Sequence, residues 1–296
     1  NKFGTLKTYL VDNDMDLPKV LDGWITTASN VYTTNTDSTP DNDFYIIDIR
    51  SAADYAAGHI DGAVNSTLAN VVTTAANANG KTIIIACYSG QTASHAVVAL
   101  RLSGFPTAKV MKWGMSGWTD AAGYDKWTGN CASPAVGNSN WTAAPGSPTA
   151  NYNFGDPVLE STNETGADIL TERVNLMLSN GFQGISATDV LADPSLYFVN
   201  NYWALTDLEH YGHISGAYRI LPLSLDGGEY QNLNPDATVV TYCWTGQTSS
   251  MVTAYLNVIG YTAKSLKNGS NALIYSELAS HKWDATTTPQ FPVVTK

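Results

Sequence analysis

The sequence is poor in cysteine, in charge and in long apolar runs. It has three cysteines in 296 residues, 14% of the residues are charged, and the formal net charge is -11. Three cysteines cannot form a disulfide framework. The acidic excess disfavours nucleic acid and anionic membranes as partners. No segment approaches the roughly 20 apolar residues that span a bilayer. We therefore expect a globular protein without a membrane span.

The composition also favours a location outside the cytoplasm. The first residue is Asn1 rather than Met, which indicates a processed or trimmed N-terminus. Low charge with abundant Asn, Thr, Ser and Gly is a bias associated with exported bacterial proteins. We expect a periplasmic or extracellular protein.

One cysteine-containing segment occurs twice. Residues 83–93 read IIIACYSGQTA and residues 239–249 read VVTYCWTGQTS. Upstream of these segments, Gly-His-Ile turns stand at residues 58–63 and 212–217. Matched landmarks in the same order predict two homologous halves of one duplicated unit.

The halves set the expected domain boundaries. We predict an N-terminal domain over residues 1–127 and a C-terminal domain over residues 164–296. Residues 128–163 are rich in Pro, Ser, Asn and Gly without sustained periodicity, so we predict that they form a linker.

Strand and helix patterns alternate in both halves. Strands are predicted at residues 44–49, 82–86, 196–200 and 239–242, and helices at residues 52–57, 92–102, 168–178 and 248–258. We expect a Thr/Asn-rich loop over residues 33–43 and an extended strap from residue 286. The alternation predicts an α/β fold in which each domain has a mostly parallel central sheet flanked by helices.

The cysteine of each repeat has a position that favours reactivity. Cys87 and Cys243 each follow a short β-branched run and precede a glycine-containing loop and a helix start. Backbone N–H groups converge at such a position. We therefore expect both thiols to ionise readily.

The chain resembles the rhodanese family at several matched motifs. These are Asp48-Ile49-Arg50, Gly58-His59-Ile60-x-Gly62-Ala63 and Cys87-x-x-Gly90 in the first half, and Gly212-His213-Ile214-x-Gly216-Ala217 and Cys243-x-x-Gly246 in the second. The resemblance implies two rhodanese-like domains in tandem. It also implies a sulfurtransferase, in which a cysteine takes sulfane sulfur from a small donor, holds it as a persulfide and passes it to a thiol acceptor.

The resemblance assigns roles to the loop residues. Cys87 and Cys243 would be catalytic, and the loop residues that would bind substrate are Tyr88, Ser89, Gly90, Gln91, Thr92, Trp244, Thr245, Gly246, Gln247 and Thr248. Inward-pointing amides can stabilise a thiolate and a persulfide, so neither a metal nor an organic cofactor is expected.

The cysteine loops contain no Arg or Lys, and this limits the classes of substrate that they are expected to bind. Related cysteine phosphatases carry an arginine six residues after the cysteine, where this chain has Ala93 and Ser249, so phosphate chemistry is disfavoured. Many thiosulfate-using rhodaneses carry Arg or Lys within the loop, and neither loop here does. Tyr88 and Trp244 offer polarisable surfaces instead. We expect polysulfide or a protein persulfide as the donor rather than thiosulfate.

Supporting roles are expected for several residues near the loops. Asp48 and Arg50 should pair internally and support the first loop, whereas residues 199–203 carry no such charges, which leaves the second site in question. His59 and His213 are expected to bond to backbone and brace the sheet rather than act as general bases.

The sequence allows two roles for Cys131 and a second function for the whole protein. Cys131 could be a bystander or a resolving thiol for a persulfide, and the bystander role is favoured because nothing in the sequence brings it near either loop. The alternative to an enzyme is a non-catalytic binding or structural assembly protein of the cell exterior, with a protein partner or self-assembly. Loops without arginine and a low overall charge are consistent with that alternative, and the sulfurtransferase is the leading interpretation.

Overall fold

The computed structural model describes residues 1–143 and 152–296. In these ranges the helices are α1 (Lys2–Asp12), α2 (Leu17–Val20), α3 (Ala28–Thr36), α4 (Ala52–Ala57), α5 (Val71–Ala75), α6 (Gln91–Leu102), α7 (Gly166–Ser179), α8 (Ala187–Ala192), α9 (Leu205–Tyr211) and α10 (Gln247–Val258). The strands are β1 (Ile25–Thr26), β2 (Tyr45–Asp48), β3 (Val64–Asn65), β4 (Ile83–Ala86), β5 (Lys109–Met111), β6 (Trp141–Thr142), β7 (Gly184–Ile185), β8 (Phe198–Asn201), β9 (His213–Ile214), β10 (Tyr218–Arg219), β11 (Val239–Tyr242) and β12 (Ala263–Leu266). Among the described residues, none of the helices combines the length and apolar character that crossing a membrane requires.

The chain divides into two compact units, each named here after its loop cysteine. The Cys87 unit comprises Val20–Gly129 and Trp283–Lys296, and the Cys243 unit comprises Asn1–Lys19 and Asn130–Lys282. Each terminal segment therefore belongs to the unit formed by the opposite half of the chain. The predicted boundaries assigned both termini to their own halves, so the two divisions differ there.

The sheet of the Cys87 unit has the order β1-β5-β4-β2-β3, and all its strand pairs are parallel. The central strand β4 is buried on both faces because every one of its residues is apolar. Ile46 and Ile84 face a core that includes Val31 and Trp118. Because side chains alternate along a strand, Ile85 faces the opposite side of the sheet, where α6 packs.

The sheet of the Cys243 unit repeats this topology. Its order is β10-β8-β11-β12-β7, again with parallel pairs. The N-terminal helix α1 packs on α7 of this unit and buries Phe3, Leu6 and Leu10. The two parallel sheets flanked by helices confirm the α/β prediction.

The chain after Trp283 forms a strap on the Cys87 unit. His59 and Val294 exchange backbone hydrogen bonds of 3.0 and 2.9 Å. Phe291 stacks on Tyr32 with ring centroids 4.2 Å apart, and Trp118 Nε1 donates to Pro292 O at 2.9 Å. The strap therefore completes the core of this unit.

One local prediction was wrong. The loop expected over residues 33–43 begins inside α3, which extends to Thr36. Thr27 caps this helix by accepting from Asn30 N, and Val31 is buried, so packing overrides the weak helix propensity of Thr and Asn. The linker expected over residues 128–163 stays a prediction. Residues 144–151 of it lie outside the described residues, and in the described part β6 pairs antiparallel with β9.

Candidate functional site

Both loop cysteines lie at the carboxyl end of the central strand of their sheet. Cys87 follows β4, Cys243 follows β11, and α6 and α10 begin just beyond the two loops. Gly90 and Gly246 precede these helices with φ angles of 86° and 73°, a conformation that glycine adopts without steric cost. The turn brings the first amides of each helix towards the sulfur. Each loop is thus an amide-lined cup at the edge where α/β sheets bind ligands.

The Cys87 sulfur accepts two backbone hydrogen bonds. Gly90 N lies 3.1 Å and Ala93 N lies 3.4 Å from Sγ. The cysteine is only 2% exposed. Burial raises the pKa of the Cys87 thiol above its ordinary value, and the loop amides offset this effect only in part. This result is contrary to the ready ionisation expected from the sequence.

The Cys243 sulfur has a different set of neighbours. Ser249 N lies 3.2 Å from Sγ and Ser249 Oγ lies 3.4 Å from it. Ser249 Oγ is in turn 2.8 Å from Ser265 Oγ. The matching loop position in the Cys87 unit is Ala93, which has no hydroxyl. A side chain at this position therefore contacts the sulfur in the second loop and not in the first.

A segment after β5 holds the Cys87 loop from behind. Met115 N donates to Cys87 O at 2.7 Å, and Ser116 Oγ donates to Tyr88 O at 2.8 Å. Gly114 packs so closely that a Cβ there would lie 2.5 Å from Cys87 O. With the carbonyls bound on the outer side, the loop amides remain directed at the sulfur.

A segment after β12 does the same for the Cys243 loop. Ser270 N donates to Cys243 O at 3.0 Å, and Asn271 Nδ2 donates to Trp244 O at 3.0 Å. A Cβ on Gly269 would lie 2.3 Å from Cys243 O. The second sulfur cup is therefore built on the same backbone plan as the first.

The loop glutamines are turned onto their own loops. Gln91 Nε2 donates to Ser89 Oγ at 3.1 Å and Gln247 Nε2 donates to Thr245 Oγ1 at 3.0 Å. Both glutamines are buried, so they rigidify the cups. The two loop threonines that follow them are half-buried: Thr92 and Thr248.

Tyr88 lines a cleft of about 200 Å³ beside the Cys87 loop. Its hydroxyl donates to the Asp54 carboxylate and accepts from Ser51 N at 3.3 Å. The hydrogen bond from Tyr88, followed by one from Ser51, lowers the pKa of Asp54. Other residues lining this cleft are Arg50, Ala57, Met115 and Tyr124. The cleft beside the first loop is therefore lined by both polar and apolar groups.

Asp48 and Arg50 form a buried ion pair next to this cleft. Arg50 Nη2 lies 2.7 Å from Asp48 Oδ2, and the same nitrogen donates to Gly58 O at 2.7 Å. The guanidinium carbon is 6.0 Å from the Tyr88 ring centroid. Arg50 brings a cation close to the loop, although Asp48 balances its charge.

The Cys243 unit has an uncharged pair at the same positions. The sheet register places Asn201 where the other unit has Asp48. Asn201 Oδ1 accepts from Trp203 N at 3.1 Å, as Asp48 Oδ1 accepts from Arg50 N at 3.0 Å. Trp203 then stacks on Trp244 with centroids 4.7 Å apart. An aromatic stack thus replaces the ion pair beside the second loop.

The two histidines of the Gly-His-Ile turns bind backbone carbonyls. His59 Nδ1 lies 2.8 Å from Tyr55 O, and the imidazole stacks on the Tyr55 ring. His213 Nδ1 lies 2.8 Å from Ile214 O. Both histidines are buried. These contacts fit a bracing role.

Cys131 lies closer to a loop than the sequence indicated. It is half-buried, and its neighbour Ala132 donates from N to Asn271 O at 2.8 Å. Asn271 is the residue that binds the Trp244 carbonyl. Spacing along the chain could not show this because the contact joins Ala132 to Asn271, which lies beyond α10.

Sequence reasoning missed the residues that hold the loops and one that contacts a sulfur. Ser116 and Asn271 carried no motif. Ser249 occupies the position at which related cysteine phosphatases carry an arginine, and Ser265 lies on a separate strand. The signal that could have identified Ser249 was its place immediately after the repeated Gly-Gln-Thr.

Both repeats of the chain match a family model. The family model described as "Rhodanese-like domain" matches residues 25–121 and 192–274. No curated protein matches the chain. A protein from Anabaena sp. is 26% identical, with 31% of this chain and 73% of that chain covered and a TM-score of 0.28. One from Staphylococcus saprophyticus is 22% identical, with coverages of 31% and 89% and a TM-score of 0.28. A thiosulfate sulfurtransferase from Pseudomonas aeruginosa is 15% identical, with coverages of 98% and 49% and a TM-score of 0.33.

Proposed function

Because this chain belongs to the rhodanese-like domain family through both of its repeats, we propose that it is a sulfane-sulfur transferase or carrier that forms a cysteine persulfide. Membership of the family supports sulfur transfer in general. The observation that carries the finer proposal is the amide-lined cup, which places N–H donors 3.1 Å from the Cys87 sulfur and 3.2 Å from the Cys243 sulfur. Such donors stabilise a thiolate and the charge of a persulfide.

The proposed reaction needs no external oxidant or reductant. The cysteine thiolate attacks the terminal sulfur of a polysulfide, and one S–S bond forms while another breaks. The shortened polysulfide leaves with the electron pair of the broken bond. An acceptor thiolate then attacks the outer sulfur of the persulfide, which returns the cysteine as a thiolate. The loop amides bind the negative charge at each stage.

The electrostatics of the loops favour polysulfide or a protein persulfide over thiosulfate. Thiosulfate is a compact dianion that is held best by charge-assisted hydrogen bonds. The loops contain no cation, and the nearby Arg50 is already paired with Asp48 at 2.7 Å. Tyr88 and the stacked Trp244 supply polarisable aromatic surface instead.

Mass spectrometry of the intact protein tests this proposal. After incubation with polysulfide, each loop cysteine should gain about 32 Da, one sulfur atom, as a persulfide. The Cys87→Ser and Cys243→Ser variants, each combined with Cys131→Ser, assign the gain to one thiol. Thiosulfate should load both thiols more slowly. The proposal fails if neither thiol gains a sulfur, and the donor preference fails if thiosulfate loads faster.

One observation favours a second candidate function. Both loop cysteines are only 2% exposed, and burial raises the pKa of the Cys87 thiol. Such shielding suits a rhodanese-like domain that serves as a non-catalytic binding or assembly module. The double variant Cys87→Ser/Cys243→Ser separates the candidates. A binding module keeps its partner or its self-assembly in this variant, whereas a carrier loses sulfur transfer.

We also propose a periplasmic or extracellular location. The support is compositional: only 14% of residues are charged. Fractionation of the producing cells tests it, and recovery in the cytoplasmic fraction alone would contradict it.

A further inference from the structure

The two units differ in the row of side chains beneath the helix that follows each cysteine. In the Cys243 unit, three adjacent strands place polar residues side by side in the row Asn200, Thr241 and Ser265. The equivalent row in the Cys87 unit is Ile47, Ile85 and Val110. All six residues are fully buried. A polar row in one core and an aliphatic row in the other indicate that the second core is specialised.

The polar row reaches the sulfur through Ser249. Ser265 Oγ is 2.8 Å from Ser249 Oγ, which is 3.4 Å from Cys243 Sγ. Ser250 Oγ donates to Gly246 O at 2.5 Å. Ser265 Oγ also lies 3.3 Å from Gly246 O, but its contact with Ser249 Oγ is shorter, and either hydroxyl can donate there. The neutral Cys243 thiol donates to Ser249 Oγ, whereas a thiolate can only accept. With Ser265 donating to Ser249, Ser249 can donate its own proton to the thiolate.

The Cys87 unit lacks both serines of this hydrogen-bonded series. Ala93 and Val110 stand at the positions of Ser249 and Ser265, and Ala93 contributes only its backbone amide, 3.4 Å from the Cys87 sulfur. Asp48 also places a carboxylate near Cys87, and its charge opposes ionisation of that thiol.

The titratable groups around Cys243 carry no opposing charge at neutral pH. Asn201 replaces the carboxylate of the other unit. Tyr202 interacts with Cys243, and Tyr242 directly precedes it in the chain. Burial raises the pKa of both tyrosines, so both are neutral near pH 7. His281 stacks on Trp244, the residue that follows Cys243, with ring centroids 5.0 Å apart.

We propose that Ser249, held in place by Ser265, donates a hydrogen bond to the Cys243 thiolate and makes Cys243 the more readily ionised of the two loop cysteines. Ser249 is thus a further catalytic residue, since it contacts the reacting sulfur. Its importance for sulfur transfer rests on the proposed function. The ionisation itself does not, and it can be measured without any sulfur donor.

The test is the pH dependence of alkylation by iodoacetamide. Cys87→Ser/Cys131→Ser leaves Cys243 as the single thiol, and Cys131→Ser/Cys243→Ser leaves Cys87. The midpoint of the rate profile should lie at lower pH for Cys243. Adding Ser249→Ala should raise the Cys243 midpoint by about one pH unit, a tenfold change in the thiol–thiolate equilibrium. Ser265→Ala should shift it in the same direction by less.

Thr253→Val is the matched control. Thr253 lies one turn further along α10 and is also fully buried, and valine keeps its shape while removing the hydroxyl. The control should leave the Cys243 midpoint unchanged. The proposal is overturned if Ser249→Ala does not move the midpoint, or if Thr253→Val moves it equally. Because Ala93 occupies the same loop position in the other unit, Ser249→Ala is expected to fold.

Discussion

Replacing Gly114 by alanine should displace the backbone of the Cys87 loop and destabilise the protein. Gly114 has a φ of +61°, and an added Cβ would lie 2.5 Å from Cys87 O, 2.6 Å from Ser89 N and 2.7 Å from Gly90 N. All three neighbours are backbone atoms of the loop, so none can rotate away. The left-handed conformation costs alanine about 1–2 kcal/mol, and overpacking adds about 1–3 kcal/mol. We therefore expect Gly114→Ala to lower the free energy of unfolding by about 2–5 kcal/mol.

Gly80→Ala is the matched control for this prediction. Gly80 has a φ of +81°, but an added Cβ there would meet no atom within 4 Å. In the control, the free energy of unfolding should therefore fall only by the conformational cost of the left-handed backbone, about 1–2 kcal/mol. The difference between the two variants measures the steric contact with the loop.

Denaturant titration followed by tryptophan fluorescence measures both variants, because Trp113 adjoins the mutated residue. Alkylation of Cys87 in the Cys131→Ser/Cys243→Ser background reports on the loop itself. Cys87 is 2% exposed, so a displaced loop should alkylate faster in Gly114→Ala and at the parent rate in Gly80→Ala. Equal destabilisation and equal alkylation in the two variants would refute the reasoning.

Two further predictions concern buried ionisable groups. Burial lowers the pKa of His95 from 6.5 to about 3, so its contribution to stability is present above pH 6.5 and is lost as the pH falls towards 3. Between pH 6.5 and 5 the loss should be about 2 kcal/mol, and His95→Gln should show a smaller loss in denaturant titrations. Asp48→Asn should cost about 3 kcal/mol because it leaves the Arg50 cation buried without its partner. Asp48→Asn/Arg50→Trp, which copies the other unit, should recover part of that cost, and an unchanged denaturation midpoint in the single variant would contradict the prediction.

Much of the frame could be predicted from the sequence because it depends on local pattern. The apolar run at residues 83–86 and the helix over residues 92–102 are buried elements whose periodicity is visible in the chain. The Gly-His-Ile turns and the cysteine loops are short motifs with fixed spacing. The Asp48–Arg50 pair could be anticipated because Asp48 ends β2 and Arg50 follows only two residues later.

The acidity of the Cys87 thiol could not be predicted in the same way. Convergent amides favour the thiolate, but desolvation opposes them, and the balance depends on how deeply Cys87 is buried. Sequence does not reveal that depth. The Ser249–Ser265 contact was hidden for a similar reason, since it joins a helix to a neighbouring strand through the register of the sheet.

The domain division depends on contacts over the longest sequence separations. Leu6 and Leu10 look like an ordinary amphipathic start to the first half, yet they pack on α7 of the Cys243 unit. No local pattern distinguishes a helix that packs on its own half from one that packs on the other.

The crossed terminal segments impose an order on synthesis. Most of the Cys87 unit is translated first, but its core stays open until Phe291 and the rest of the strap have been made. The Cys243 unit also includes α1, which is synthesised long before α7, the helix on which it packs. Both units therefore reach completion late in synthesis, and a single cut between the two repeats leaves neither fragment with all the parts of its unit.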